Sequence, residues 1–119
     1  MKNMPVTLTD LLIEKRKQEE KYFRDYLRWA RIIKKEAKAL LGDVRVFVFG
    51  SAVRGEIEPG SDIDVLLISP GLKSFSLKNK TRTKIFEKIG SDSPFEVHLI
   101  TPEDYQSWYI HFIKEKIEI

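Results

Sequence analysis

The feature that most constrains this chain is a strand, a sharp turn and a second strand between residues 44 and 68. The first run, 44–49, is β-branched and aromatic, as in a buried strand, and it stops at Gly50-Ser51, where glycine permits a tight turn. Asp62 and Asp64 open the next apolar run. Because side chains alternate along a strand, the two carboxylates are predicted to share one face, about 6–7 Å apart.

The turn and the carboxylates can meet only if the two strands pair in the antiparallel sense, because a parallel pairing places them at opposite ends of the sheet. Neighbouring carboxylates repel each other unless a cation neutralises them. Mg²⁺ suits such a pair, since it binds one or two carboxylates together with substrate phosphates. The pattern therefore predicts a site for phosphoryl or nucleotidyl transfer. The alternative is a plain turn followed by an exposed, capped strand.

The spacing of the motif resembles the signature of the DNA polymerase β-like nucleotidyltransferases: Gly50-Ser51, ten further residues and then Asp62-Ile63-Asp64. The similarity is greatest to their smallest members, the minimal nucleotidyltransferase (MNT) proteins, and covers about residues 44–101. It implies a Mg²⁺ cofactor held by the aspartates and a bound nucleoside triphosphate. The predicted nucleotide-binding residues are Gly50, Ser51, Arg54 and Ser61.

A third strand, 95–100, is predicted to supply the third carboxylate, Glu96. A basic helical segment precedes it and would act as the crossover that makes the second and third strands parallel. Glu96 then lies at the same end of the sheet as Asp62 and Asp64. The family usually carries aspartate here, and the resemblance implies that Glu96 ligates metal or activates the acceptor hydroxyl. His98, on the same face, is interpreted as a surface or supporting residue rather than a ligand.

One domain is expected for 119 residues, with an α+β fold in which helices pack on one face of a small mixed β-sheet of three or four strands. A long helix is predicted over 8–41, a catalytic core over 44–101 and a C-terminal helix over 102–118. The first helix begins at a Thr7–Asp10 capping box and ends at Gly42. Unbroken, it would be about 50 Å long, so it either breaks near residues 16–20 or projects from the domain.

Composition excludes several classes of function. The chain has no cysteine, so disulfides and thiolate chemistry are excluded. It also has no apolar run of membrane-spanning length and no signal segment, which together predict a cytoplasmic location. The net charge of +3 permits phosphate-rich ligands. A basic face over residues 73–88 is interpreted as solvated, so nucleic acid binding is possible but not favoured.

The resemblance implies transfer of a nucleoside monophosphate, AMP from ATP, to a hydroxyl acceptor. MNT proteins commonly act as antitoxins of HEPN-domain toxins, and no further domain follows the third strand to hold an acceptor, so a homodimer or a complex with a HEPN-domain protein is expected. Two alternatives stay open. One is a non-catalytic module that neutralises its partner by binding, and the other is a transferase acting on a small hydroxylated substrate such as an aminoglycoside.

Overall fold

A four-stranded mixed sheet forms the centre of the computed structural model, which describes residues 4–56 and 60–119. The strands are β1 (Arg45–Phe49), β2 (Ile63–Ile68), β3 (Phe95–Ile100) and β4 (Lys116–Glu118), in the spatial order β3-β2-β1-β4. The main helices are α1 (Leu8–Arg24), α2 (Tyr26–Leu41), α3 (Ser51–Arg54) and α4 (Phe75–Ile89). We call the C-terminal helical residues 102–112 α5. The predicted α+β fold is confirmed.

β1 and β2 pair in the antiparallel sense that the predicted site requires, and the predicted parallel pairing of the second and third strands is confirmed. β1 and β2 are antiparallel with Phe49 opposite Asp64, and β2 and β3 are parallel with Asp64 opposite Glu96. The end of β1 therefore lies beside the starts of β2 and β3. We call this end of the sheet the site edge, because all the predicted site residues lie near it in the chain.

The predicted single helix over 8–41 is two helices. The Thr7–Asp10 capping box starts α1, and Gly42, with a φ of 73°, ends α2 as expected. Between them Asp25 leaves the helical region, with φ −133° and ψ 43°, so the break lies after residues 16–20. Near the break, the Tyr22 hydroxyl donates to the Ile89 carbonyl at 2.7 Å, and the Tyr22 ring packs against Trp29 of α2, with centroids 4.7 Å apart.

The first turns of α1 also project from the domain, so the structure combines a break with a projection that the sequence analysis had offered as alternatives. The principal extents are 60 × 29 × 22 Å. We define the apolar arm as residues 4–13, which leave six large apolar side chains at least half exposed: Met4, Val6, Leu8, Leu11, Leu12 and Ile13. Across residues 4–56 and 60–119, none of the helices combines the length and the apolar character that crossing a bilayer requires.

The two faces of the sheet carry separate apolar clusters. On one face α1, α2 and α4 pack over the buried side chains of alternate strand positions, Val48, Val65 and Val97 among them. On the other face Phe47 and Leu66 pack with Tyr105 and Ile113 from the C-terminal region. The larger helices thus share one face, as predicted, whereas α5 covers part of the face that carries Asp64 and Glu96.

The predicted C-terminal helix over 102–118 is wrong beyond Phe112. It begins as expected, with Thr101 as N-cap, contains a π-helical stretch at Tyr105–Tyr109, and ends at Phe112, after which the chain forms β4. β4 pairs with the free side of β1, which satisfies main-chain groups that an edge strand would expose. Arg45 donates two hydrogen bonds to Glu118, at 2.9 and 3.0 Å, and these lower the pKa of Glu118 below its ordinary value.

Candidate active site

The glycine of the turn is in direct contact with the second aspartate. Gly50 has a φ of 80°, which other residues rarely adopt. A Cβ at this position would lie 2.5 Å from Oδ2 of Asp64. The absence of a side chain at Gly50 is therefore what allows the turn after β1 and the carboxylate on β2 to meet, as the antiparallel pairing predicts.

A single helical turn, α3, follows Gly50. The Gly50 carbonyl accepts the N–H groups of Val53 and Arg54, at 3.2 and 3.3 Å. Because the first N–H groups of a helix have no acceptor within it, those of Ser51 and Ala52 remain available to a ligand. Ser51 is half-buried, and so is Ser61, which lies two residues before β2. The turn therefore offers main-chain donors close to the Asp64 carboxylate.

Arg54, predicted to bind phosphate, makes an ion pair with a neighbour. Its Nε donates to Oε2 of Glu56 at 3.1 Å, and the two side chains are 43% and 66% exposed. Exposed ion pairs contribute about 1 kcal/mol or less. A phosphate with more negative charge than one carboxylate can therefore displace Glu56 at small cost.

Asp64, Glu96 and His98 form a compact group on one face of the sheet. Each offers an oxygen or nitrogen atom, and these three atoms lie within 4.8 Å of one another. His98 Nε2 is 3.5 Å from Asp64 Oδ1 and 3.7 Å from Glu96 Oε1. The group contains two of the three predicted carboxylates, brought together by the parallel pairing of β2 and β3.

His98 is more enclosed than the sequence suggested. Its Nε2 is buried and has no hydrogen-bond partner in the described part of the chain. The ring lies between Phe49 and Tyr109, with centroid separations of 5.4 and 6.3 Å. Of the two roles interpreted for it, a surface residue or a supporting residue, this enclosure favours the second. Strand alternation places it on the face of Glu96, two residues along β3, but does not show that the ring is enclosed.

Asp62 lies apart from this group. It is exposed, precedes β2, and is not among the ligand atoms clustered around Asp64 in the residues described. It lines instead a groove between α1 and the turn 90–94. The structure thus unites Asp64, Glu96 and the Gly50 turn, and sets Asp62 at the rim of the same edge.

Comparison with known proteins agrees with this geometry. Residues 30–119 match the family described as "Nucleotidyltransferase domain". A solved structure described as a "putative nucleotidyltransferase" is 30% identical, with a TM-score of 0.64, and the alignment covers 75% of this chain and 95% of that one. No curated protein matches the sequence.

A second solved structure, a "putative nucleotidyltransferase from Sulfolobus solfataricus", is 18% identical with a TM-score of 0.56 and supports the fold alone. That alignment covers 98% of this chain and 90% of the other. The acidic group around His98 is consistent with a metal site typical of nucleotidyltransferases. Family membership suggests nucleotidyltransferase activity, with a nucleotide as substrate. On the match over residues 30–119 the chain belongs to the nucleotidyltransferase domain family.

Proposed function

We propose that this protein transfers AMP from ATP to a hydroxyl acceptor in a Mg²⁺-dependent reaction. The observation that carries this proposal is the contact between Gly50 and Asp64, which joins a turn rich in free N–H donors to a carboxylate group. Phosphoryl and nucleotidyl transfer need chiefly positioning and charge neutralisation. An edge that holds phosphates beside paired carboxylates supplies both.

The residues present fit a divalent cation. Asp64 and Glu96 provide oxygen ligands at close quarters, and Asp62 can approach from the rim of the edge. The buried Nε2 of His98 lacks a partner among the described residues, which marks a site built for a further polar group. Because Mg²⁺ prefers oxygen, His98 is better suited to hydrogen-bond a metal-bound water than to ligate the ion. When bound, the ion would neutralise the triphosphate and stabilise charge on the transferring group.

The predicted site residues then have the following roles in one balanced transfer step. Ser51 and the N–H groups of α3 hold the β- and γ-phosphates, and Arg54 exchanges Glu56 for phosphate. The acceptor oxygen forms a bond to the α-phosphorus as the bond from that phosphorus to its bridging oxygen breaks, and pyrophosphate leaves with the electron pair. Glu96 accepts the hydroxyl proton.

Replacing Glu96 with glutamine should therefore lower transfer more than nucleotide binding. We expect a rate loss of about 10²-fold, the lower end of the range for a general base, with MgATP affinity reduced far less. Pyrophosphate release, with water as acceptor where no better one is known, measures the rate, and calorimetry measures the affinity. Glu103→Gln, an exposed acid in α5, is the matched control. If Glu96→Gln turns over at the wild-type rate, Glu96 has no role in transfer and is only an acid on the surface of the strand.

We also propose that the chain works with a protein partner, a HEPN-domain toxin in the role that the resemblance implies. The apolar arm supports a partner, because soluble monomers rarely expose contiguous apolar patches beyond a few hundred Å². Its leucines share one side of α1, as an amphipathic docking helix requires.

Light scattering on the chain alone, and mixed with the product of the adjacent gene, should show an assembly larger than a monomer. The double variant Leu11→Glu, Leu12→Glu should shift it toward the monomer, while Lys17→Glu, on the other side of α1, should not. A monomer that ignores this neighbour and still modifies a small molecule would contradict the antitoxin role.

The second candidate function is non-catalytic neutralisation of that partner, and the exposed arm favours it equally. Asp64→Asn separates the two functions. A binding module keeps its full neutralising effect in this variant, whereas a transferase loses it while the partner still binds.

A further inference from the structure

The three side chains that the structure groups at the site edge are not the three metal ligands that the sequence predicted. Those were Asp62, Asp64 and Glu96, whereas the atoms within 4.8 Å of one another belong to Asp64, Glu96 and His98. Asp62 is exposed and lies outside this group in the described part of the chain. The third donor of the group is therefore an imidazole nitrogen and not a third carboxylate oxygen.

The Nε2 atom of His98 lies close to both carboxylates. It is 3.5 Å from Asp64 Oδ1 and 3.7 Å from Glu96 Oε1, which is longer than an ordinary hydrogen bond. Two atoms that bind one ion at about 2.0–2.2 Å lie at most about 4.4 Å apart. Both separations meet this condition, so one ion can contact Nε2 together with either oxygen. The Glu96 side chain is 56% exposed and has room to rotate toward such an ion.

Packing holds the imidazole in this position. The ring lies between Phe49 and Tyr109, with centroid separations of 5.4 and 6.3 Å. Nε2 is closed off from solvent and makes no hydrogen bond to the residues that the structure describes. Burying a polar atom without a partner is unfavourable, and an ion bound at Nε2 would remove that penalty. A donor that is already fixed also loses little conformational freedom on binding.

We infer that His98 is a direct ligand for a divalent transition-metal ion, and that it makes this site bind such an ion more tightly than Mg²⁺. The inference rests on the proposed function, because the ion takes the metal position of that reaction. Carboxylate oxygen suits Mg²⁺, whereas imidazole nitrogen suits transition ions, whose affinity for such sites rises from Mn²⁺ to Co²⁺. With Mg²⁺ bound, His98 contacts a metal-bound water, and with a transition ion Nε2 takes the place of that water.

A different role for His98 would give the opposite result. A protonated imidazole between the two carboxylates would act as an internal cation and would repel any metal ion at the site. Removal of the ring would then raise the affinity for Mg²⁺ and for transition ions alike. A ligand role predicts instead a selective loss of transition-ion affinity, so the sign of the change distinguishes the two.

Electron paramagnetic resonance of Mn²⁺ on the full chain, without nucleotide and without a histidine tag, tests ligation itself. Bound Mn²⁺ should show coupling to a directly bound nitrogen nucleus. The chain has two histidines, and the other one, His111, is exposed in α5. The coupling should persist in His111→Ala and vanish in His98→Phe, which keeps a ring between Phe49 and Tyr109. A wild-type chain without this coupling, whether or not it binds Mn²⁺, would overturn the inference.

Displacement of Mn²⁺ by Mg²⁺ gives the ratio of the two affinities in the same samples. His98→Phe and His98→Ala should each lower the preference for Mn²⁺ over Mg²⁺ at least tenfold, and His111→Ala should leave it unchanged. The preference for Co²⁺ should fall further still, because Co²⁺ binds nitrogen more strongly than Mn²⁺ does. An unchanged ratio, or a gain of affinity for both ions, would contradict the ligand role.

Calorimetry of MgATP binding to the wild-type chain keeps this inference separate from the proposed function. A chain that shows nitrogen coupling to Mn²⁺ but does not bind MgATP retains the His98 ligand and loses the proposed transfer reaction. A chain that binds MgATP normally and shows no nitrogen coupling keeps the proposed function and loses this inference.

Discussion

Replacing Gly50 with alanine should cost the protein at least tenfold in MgATP affinity and about 10²-fold in transfer, although the chain still folds. The added Cβ would lie 2.5 Å from Oδ2 of Asp64, so the carboxylate must leave its present position. The backbone of Gly50, with φ 80° and ψ −152°, lies in a region that is essentially restricted to glycine, which adds strain of about 1–3 kcal/mol to the folded state. Both the stability of the fold and the function of the site should therefore decrease, and the loss of MgATP binding and transfer should be much larger than the loss of stability.

Gly42→Ala separates these two effects. Gly42 has a similar φ of 73°, but an added Cβ there meets nothing within 4 Å, and it ends α2 at the opposite end of the sheet from Gly50. This variant should lose comparable stability in thermal unfolding and bind MgATP normally. If Gly50→Ala binds MgATP as well as Gly42→Ala does, the contact between the turn and Asp64 has no role in nucleotide binding.

Asparagine at Asp64 should give the largest loss of metal-dependent nucleotide binding. The change keeps the shape of the side chain and removes a negative charge from the group shared with Glu96 and His98. We expect MgATP affinity to fall at least tenfold, which is about 1.4 kcal/mol. Stability should be unchanged or slightly higher, since a like-charge neighbour of Glu96 is removed.

Asp62→Asn should also lower MgATP affinity, but by less than Asp64→Asn, because Asp62 is exposed and lies outside that group. Asp43→Asn, before the start of β1, is the control at the far end of the sheet. Calorimetry with ATP, with and without Mg²⁺, makes the comparison. Unchanged MgATP binding in both Asp62→Asn and Asp64→Asn would reject the assignment of the active site.

The core of the fold could be predicted because two independent signals agree there. Alternation along 95–100 separates the inward residues from Glu96 and His98, and a helical crossover before it enforces a parallel pairing with β2. The pairing of β1 with β2 could not be decided from the length of their connection, because residues 50–62 are enough for either sense; only the antiparallel pairing lets the turn meet the carboxylates, and the structure has it. Together these place Gly50, Asp64 and Glu96 at one edge without any knowledge of side-chain contacts.

The features that were missed depend on tertiary contacts. The apolar spacing of Tyr22 and Tyr26 suits a continuous helix. The structure instead breaks the helix at Asp25, close to Tyr22, whose contacts with Ile89 and Trp29 cannot be read from that spacing. Ile117 follows Ile113 at helical spacing, yet it also suits a strand, and the free side of β1 decides the outcome. The enclosure of the His98 ring between Phe49 and Tyr109 was missed because alternation along a strand does not show burial.

The break at Asp25 has a consequence for how the protein could be regulated. α1 carries the apolar arm at one end and one side of the groove at the other, and it is fixed to the domain near Tyr22. We expect a partner on the apolar arm and a molecule in the groove to be coupled wherever the two favour different orientations of α1, because both contact this one helix. By thermodynamic linkage, each would then change the affinity for the other by the same factor.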